Sequence, residues 1–317
     1  MLSLQQKRHA GRKLVAAGLG CIVAQRQSLR TAIPKRHHFV AEMLQNRFTD
    51  DDERLYFFNT RKPGSGVQRT VVGNLFCEGH LYSEIANDGT KNPALEDYFS
   101  VLEGRIDAII EKAVTAARQD KHPSFTQAER TLWDYFFILQ YKRVPDVHHR
   151  VGSLREADAE LDRIFAHVLE RYPEKRAEVE ALSSPSARKL LIHNSKVAAL
   201  QRPSVALEQA LARRGIAVLR IARPAKSFII GSYPIVRFTH PGRTHILDPS
   251  VEVWLPIAHD VAIGVGLQAG TESFLAVTEP SWIRHINEGI ARQSTMYAGR
   301  SKELLCSLSG QPYKGRD

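Results

Sequence analysis

From Asn92 to Gly215 the apolar residues of this chain recur at helical spacing, and after Gly215 they fall into short β-rich runs. Helices and strands segregated along the chain in this way point to an α+β architecture and not to a doubly wound sheet. Asn92 and Pro93 open the helical block as N-cap and first-turn proline. Leu95, Phe99, Leu102, Ile106, Ile109 and Ala113 then follow at alternating four- and three-residue steps, which makes one unbroken apolar stripe. Thr126 and Glu129 form a capping box for a second helix that stacks Leu132, Phe136 and Leu139 and must stop near Val144, because Pro145 follows. Ser153 with Glu156 repeats the box ahead of Leu161, Ile164, Val168 and Tyr172, and further helices cover Ser186–Leu200 and Ser204–Arg214.

Strand signals flank this block. Leu55–Phe58 and Val67–Val72 read as a hairpin across the turn Pro63–Gly66, with Asp50, Asp51 and Asp52 as a solvated acidic turn ahead of it. Beyond Gly215, strands are expected at Ile216–Ala222, Ser227–Ile230, Ile235–Phe238, Val251–Leu255 and Val261–Val265. A closing helix runs from Ser281 to about Ala298, and Leu304–Leu308 ends the chain. The expected fold is α+β: an N-terminal β-hairpin, a central helical block, C-terminal antiparallel strands and a closing helix. Residues 1–33 read as a basic leader and residues 34–317 as one globular domain.

The formal net charge of +10 would suggest a nucleic-acid partner if it were spread over the surface. It is not. Lys7, Arg8, Arg12, Lys13, Arg26, Arg30, Lys35 and Arg36 all precede the first acid, Glu42, and the rest of the chain carries only +2. Affinity for nucleic acid is therefore expected to reside in the leader. The leader's apolar run, Leu14–Ala24, is shorter than the roughly 20 residues that span a bilayer, so no transmembrane segment is read. A secretory signal, a basic amphipathic helix and a dispensable or misassigned start all remain open for it. Cys21, Cys77 and Cys306 are far apart, with no paired spacing for zinc or a redox couple, which suits reduced thiols in a cytoplasmic protein. No Walker loop, Rossmann fingerprint, nucleophile elbow or HExxH motif names a cofactor or a reaction.

His37, His38, Phe39 and Val40, the turn and hairpin residues Asp51, Asp52, Arg54, Leu55 and Tyr56, and then Asn74, Tyr82 and Leu102-Glu103-Gly104 occur in an order that carries a resemblance. Gln140 and Arg143 before Pro145, and Asn287 and Gln293, continue it. The chain resembles the bacterial family called domain of unknown function 4238 from about Lys35 to Ser309. Two departures stand out: Ala41 replaces the proline of the His-His-aromatic-Val-Pro start, and Phe228–Pro234 keeps the frame of a Phe-Ile-x-Ser-Asp-x-Pro element but has Ser232 where the aspartate belongs. The resemblance implies a fold and a residue set, not a reaction.

Four residues are candidates for chemistry. His37 and His38 point to opposite sides of an extended segment, so only one of them can face a given site, as base, metal ligand or cap. Arg143 falls in register with Leu132, Phe136 and Leu139, which aims its guanidinium inward, where it must be paired or must await an anion. Glu103 on the preceding helix is the partner by pattern, and Gln140 lies one turn before Arg143. The expected catalytic set is His37, Glu103, Gln140 and Arg143 around one cleft of a hydrolase-like or nuclease-like enzyme, with Arg143 as anion clamp and His37 as acid/base. The alternatives are a non-catalytic nucleic-acid or nucleotide binding or adaptor protein and a purely structural buried network. The expected partner is a nucleic acid or a phosphate-bearing ligand. His148, His149, His240, His245 and Asp248 sit in turn-rich segments that match no metal spacing.

A chain that begins at Ile33 is expected to keep its thermal midpoint within a few degrees and to lose most of any salt-sensitive affinity for DNA or RNA. Binding titrations of the two lengths at several salt concentrations check this, and equal binding throughout would move the nucleic-acid surface into the body.

Overall fold

The computed structural model describes residues 36–145, 154–202, 204–239, 248, 250–266 and 271–313. The leader, Cys21, His148, His149, Ser153, His240, Gly242 and His245 lie outside the described residues. In chain order, β1 (Arg36–His38), α1 (Glu42–Gln45), β2 (Arg54–Asn59), β3 (Gln68–Val71), β4 (Cys77–Gly79), β5 (Glu84–Ile85) and β6 (Lys91–Asn92) come first. The helical block follows: α2 (Ala94–Arg118), α3 (Gln127–Lys142), α4 (Leu154–Arg171), α5 (Arg176–Leu182), α6 (Pro185–Gln201) and α7 (Val205–Ala212). Then come β7 (Ile216–Ile221), β8 (Ile230–Gly231), β9 (Val236–Phe238), β10 (Glu252–Ala258), β11 (Val261–Val265) and β12 (Glu272–Val277). The chain closes with α8 (Pro280–Gln293), β13 (Met296–Gly299) and α9 (Lys302–Ser309). The architecture is α+β, with N-terminal strands, a helical block, a second set of strands and a closing helix.

Beside the two-stranded pairs β1-β4 and β5-β6, two larger sheets organise the strands. One has the order β12-β7-β11-β10-β9, antiparallel except for the parallel β12–β7 pair. The other has the order β3-β2-β13-β8, so a strand near the chain's end is inserted beside the N-terminal hairpin. Val253 to Ala258 in β10 and Val261 to Gly264 in β11 are buried at consecutive positions, which requires cover on both faces of the sheet. Helix α2 supplies part of this cover by packing on β7 and β10, and it packs on α3 as well. Every residue of its predicted stripe, Leu95 through Ala113, is buried. The capping box on α3 is formed in both directions, with Thr126 accepting from the Glu129 N–H and Glu129 from the Thr126 N–H. Pro256 is tolerated inside β10 because β9 covers only Glu252–Trp254 and the ladder to β11 is irregular between Pro256 and Ala258.

Several expected boundaries move. Helix α8 stops at Gln293, not near Ala298, and Met296–Gly299 becomes a strand between β2 and β8. The reason is tertiary: Gln293 Nε2 donates to the Tyr233 and Ile235 carbonyls, and Ser294 turns extended so that the chain can join the sheet. Ser227–Ile229 is not a strand, because Asn287 takes the Ile229 N–H on its Oδ1 and donates Nδ2 to the Ser227 carbonyl where a ladder partner would stand. Pro93 takes the cap position of α2, while Asn92 Oδ1 accepts the Ala94 N–H at 3.0 Å. The expected stripe on α4 is only partly covered, with Ile164 and Tyr172 exposed, because α4 packs against α5 and α6 at the periphery. Strand β12 was not legible as a strand before the fold was in view. Asp50 Oδ1 accepts the Asp52 and Arg54 N–H groups and Arg69 donates to Asp50 and Asp52, so the acidic turn is internally occupied.

Two glycines give opposite expectations. A Cβ at Gly264 would stand 2.7 Å from the Val253 carbonyl oxygen and 2.6 Å from the Trp254 ring, so Gly264→Ala should cost about 1–3 kcal/mol. Gly104 is exposed within α2 with nothing within 4 Å of an added Cβ, and Gly104→Ala should stabilise by about 0.5–1 kcal/mol. Urea denaturation of both variants measures the pair.

Candidate functional site

Strand β1 pairs antiparallel with β4, and alternation sends His37 to the interior while Arg36 and His38 share the other face. His37 is completely buried. Its Nδ1 accepts the Tyr82 N–H at 2.9 Å, so in the neutral ring the proton sits on Nε2. Glu96 Oε2 lies 3.8 Å from the same Nδ1. The imidazole stacks on Tyr82 at 5.7 Å, and Tyr82 meets Phe99 edge to face at 4.9 Å. Burial pushes the Tyr82 phenol far up, so it stays protonated and donates to the Arg143 carbonyl at 3.1 Å.

Arg143 caps α3 at its C-terminal end and is 2 % exposed. Its Nε donates to the Phe39 carbonyl at 3.0 Å and its Nη1 to Glu103 Oε1 at 2.5 Å, while the guanidinium lies 5.5 Å from the centre of the Phe99 ring. Burial alone would lower its pKa, but the adjoining Glu103 carboxylate outweighs that and holds it above the usual guanidinium range. Gln140, completely buried, donates Nε2 to the same Phe39 carbonyl at 2.9 Å. The fold thus brings together all four candidates: Arg143, Glu103 and Gln140 directly, and His37 through Tyr82. Only Glu103 reaches the surface, at 22 % exposure. His37, Gln140 and Arg143 bond main-chain groups, and the arrangement ties the N-terminal segment to α2 and α3.

Several other polar residues read from the sequence are likewise engaged within the fold. Asn287 and Gln293 bond the backbone of 227–235, as described above. Ser232, where the family pattern has aspartate, accepts on Oγ the N–H groups of Thr295 and Met296, which lead into β13. Asn74 accepts from Arg36 Nη1 and donates to Thr70. Asp248 accepts the N–H and hydroxyl of Ser250. Among the described residues no group of three or more His, Cys, Asp or Glu side chains is placed to hold a metal ion.

An open cavity of about 410 Å³ lies elsewhere, between α8, the β2–β13 pair and α9. Phe58, Tyr297, Leu308 and Ala291 give it an apolar floor, and Arg284, Arg292, Glu288, Thr60 and Ser309 line the rest. Arg284 pairs with Glu288 and also donates to Ser307, whereas Arg292 donates Nε to the Glu288 carbonyl and makes no ion pair among the described residues. Burial raises the Tyr297 phenol to about 12, so it stays neutral. The convergence of Arg284 and Arg292 with Phe58 was not legible in the sequence, because the β2–β13 pairing spans most of the chain.

The chain belongs to the family described as protein of unknown function (DUF4238), whose model matches residues 36–302. No curated protein and no solved structure matches it. No described helix is long and apolar enough to cross a membrane.

Because the Arg143 guanidinium is buried against one carboxylate and one carbonyl, Arg143→Ala should destabilise the fold by about 3–5 kcal/mol, leaving Glu103 without its donor and the Phe39 carbonyl with Gln140 alone. Arg143→Lys should recover only part of this, since an ammonium cannot bond both acceptors in the fork geometry. Urea midpoints of the two variants test it, and a loss under about 1 kcal/mol for the alanine variant would remove the staple role.

Proposed function

We propose that this protein is a non-catalytic binding protein for a small phosphate-bearing ligand of the nucleotide class, taken up in the cavity between α8, β13 and α9. The observation that carries the reading is the pairing of an apolar aromatic floor with Arg292, a guanidinium at the rim that makes no ion pair among the described residues. A planar base suits the floor at Phe58 and Tyr297, and a phosphate suits Arg292, since the Thr60 and Ser309 hydroxyls already donate to the Thr295 and Cys306 carbonyls. The volume falls within the range of about 300–1,000 Å³ for small-molecule sites. With Glu288 offsetting Arg284, the rim carries a single net positive charge, which favours a monophosphate over a polyphosphate or a nucleic-acid strand. The hydrolase-like reading built on His37, Glu103, Gln140 and Arg143 is less well supported, because three of those side chains are sealed from solvent, where no substrate reaches them, and each bonds a main-chain group. We take the compartment to be the reducing bacterial cytoplasm, in keeping with free Cys77 and Cys306.

Isothermal titration with AMP and with inorganic phosphate tests the proposal. AMP should bind more tightly than phosphate, and Arg292→Ala should weaken it about tenfold or more without moving the thermal midpoint. Absence of both heat and thermal stabilisation with AMP at millimolar concentration would refute the reading.

A further inference from the structure

The face of β1 opposite His37 carries a second constellation, independent of the cavity. His38 and Cys77 stand directly opposite each other in the β1–β4 ladder. The Phe39 N–H donates to the Phe76 carbonyl at 2.9 Å, which makes Phe39 and Phe76 a hydrogen-bonded pair. His38 and Cys77 are then the adjoining non-hydrogen-bonded pair, the kind in which side chains approach most closely. Arg36, two residues before His38 on the same face, reaches diagonally and donates Nη2 to Cys77 Sγ at 3.1 Å. Its Nη1 is anchored by Asn74 Oδ1 at 3.3 Å, and Asn74 is itself held by Thr70. His38 Nε2 lies 3.2 Å from Glu42 Oε1, at ion-pair distance though off the axis of a hydrogen bond. Cys77 is a half-buried free thiol, whereas Cys306 is buried and lacks such neighbours among the contacts of the described residues.

A thiol, an imidazole across the ladder, a carboxylate behind the imidazole and a guanidinium on the sulfur are the groups that nucleophilic thiol chemistry requires. We propose that Cys77 is the nucleophile of a second site that accepts acyl groups from ester-type electrophiles. His38 acts as base, Glu42 provides the counter-charge to its imidazolium, and Arg36 stabilises negative charge on the sulfur. In the step, the thiol proton passes to the His38 imidazole as Sγ bonds to the acyl carbon. The bond from that carbon to the alcohol oxygen breaks, and the departing alkoxide takes the proton back from His38, leaving a thioester and an alcohol.

The test uses the full chain with p-nitrophenyl acetate at neutral pH, with nitrophenolate release followed and the acetylated residue mapped by mass spectrometry. Native protein should release nitrophenolate in a burst of one equivalent on Cys77, at a rate about tenfold above that of the same thiol in urea-unfolded protein. Mere exposure cannot give that sign, since unfolding only increases access. Arg36→Gln and His38→Gln should each lower the native rate several-fold while the thermal midpoint stays in place, and Arg36→Lys serves as the folded reference should the glutamine variant lose stability. A native rate at or below the unfolded one, or variants of Arg36 and His38 that acylate at the native rate, would overturn the proposal.

Discussion

The structure turns on a guanidinium that has nowhere to go but inward. Arg143 ends α3 on the same face as the helix's apolar stripe, and a charge buried there costs several kcal/mol unless it is met. Glu103 meets it from α2, the Phe39 carbonyl meets it from the segment after β1, and Phe99 lies under its flat face. These contacts fix the spacing of the two long helices and pin the N-terminal segment across them. Tyr82, donating to the Arg143 carbonyl and stacked on His37, extends the same tie to the chain beyond β4.

The use of polar side chains to bond stray backbone recurs through the molecule. Gln140, Asn287, Gln293 and Ser232 each serve main-chain groups that no ladder or helix satisfies. Buried amide groups left without partners are costly, so an α+β fold with many short strands and irregular crossings needs such residues. This gives a physical account of why four positions that carry the family resemblance, His37, Gln140, Arg143 and Asn287, are polar yet buried. It also accounts for the departure at Ser232: a hydroxyl accepts the same N–H groups that a carboxylate at that position would accept.

Polar residues at inward positions therefore divide into two kinds here. His37, Gln140 and Arg143 of the Arg143 cluster are closed off from solvent and hold the chain. Those that keep a face toward solvent, Arg292 over the aromatic floor of the cavity and Cys77 beneath Arg36, are the ones with capacity left to engage another molecule. The two adjacent histidines show the division within one dipeptide, since alternation along β1 commits His37 to the core and leaves His38 beside the thiol.

Local patterns were enough to read the α+β class, the first hairpin, the α2 stripe and the capping box on α3, because each depends on residues only a few positions apart. The inward aim of Arg143 and its pairing with Glu103 were legible for the same reason: a helical register, and the neighbour across a short connection. Helix α8 ending at Gln293, the loss of a strand at Ser227–Ile229 and the insertion of β13 beside β2 were not, since the Tyr233 and Ile235 carbonyls and the open edge of β2 lie tens to hundreds of residues away. The meeting of Arg292 with Phe58, and of Arg36 with Cys77, depends likewise on strand register. A shift of one residue there exchanges every inward side chain for an outward one, and only the packed sheet decides which is which.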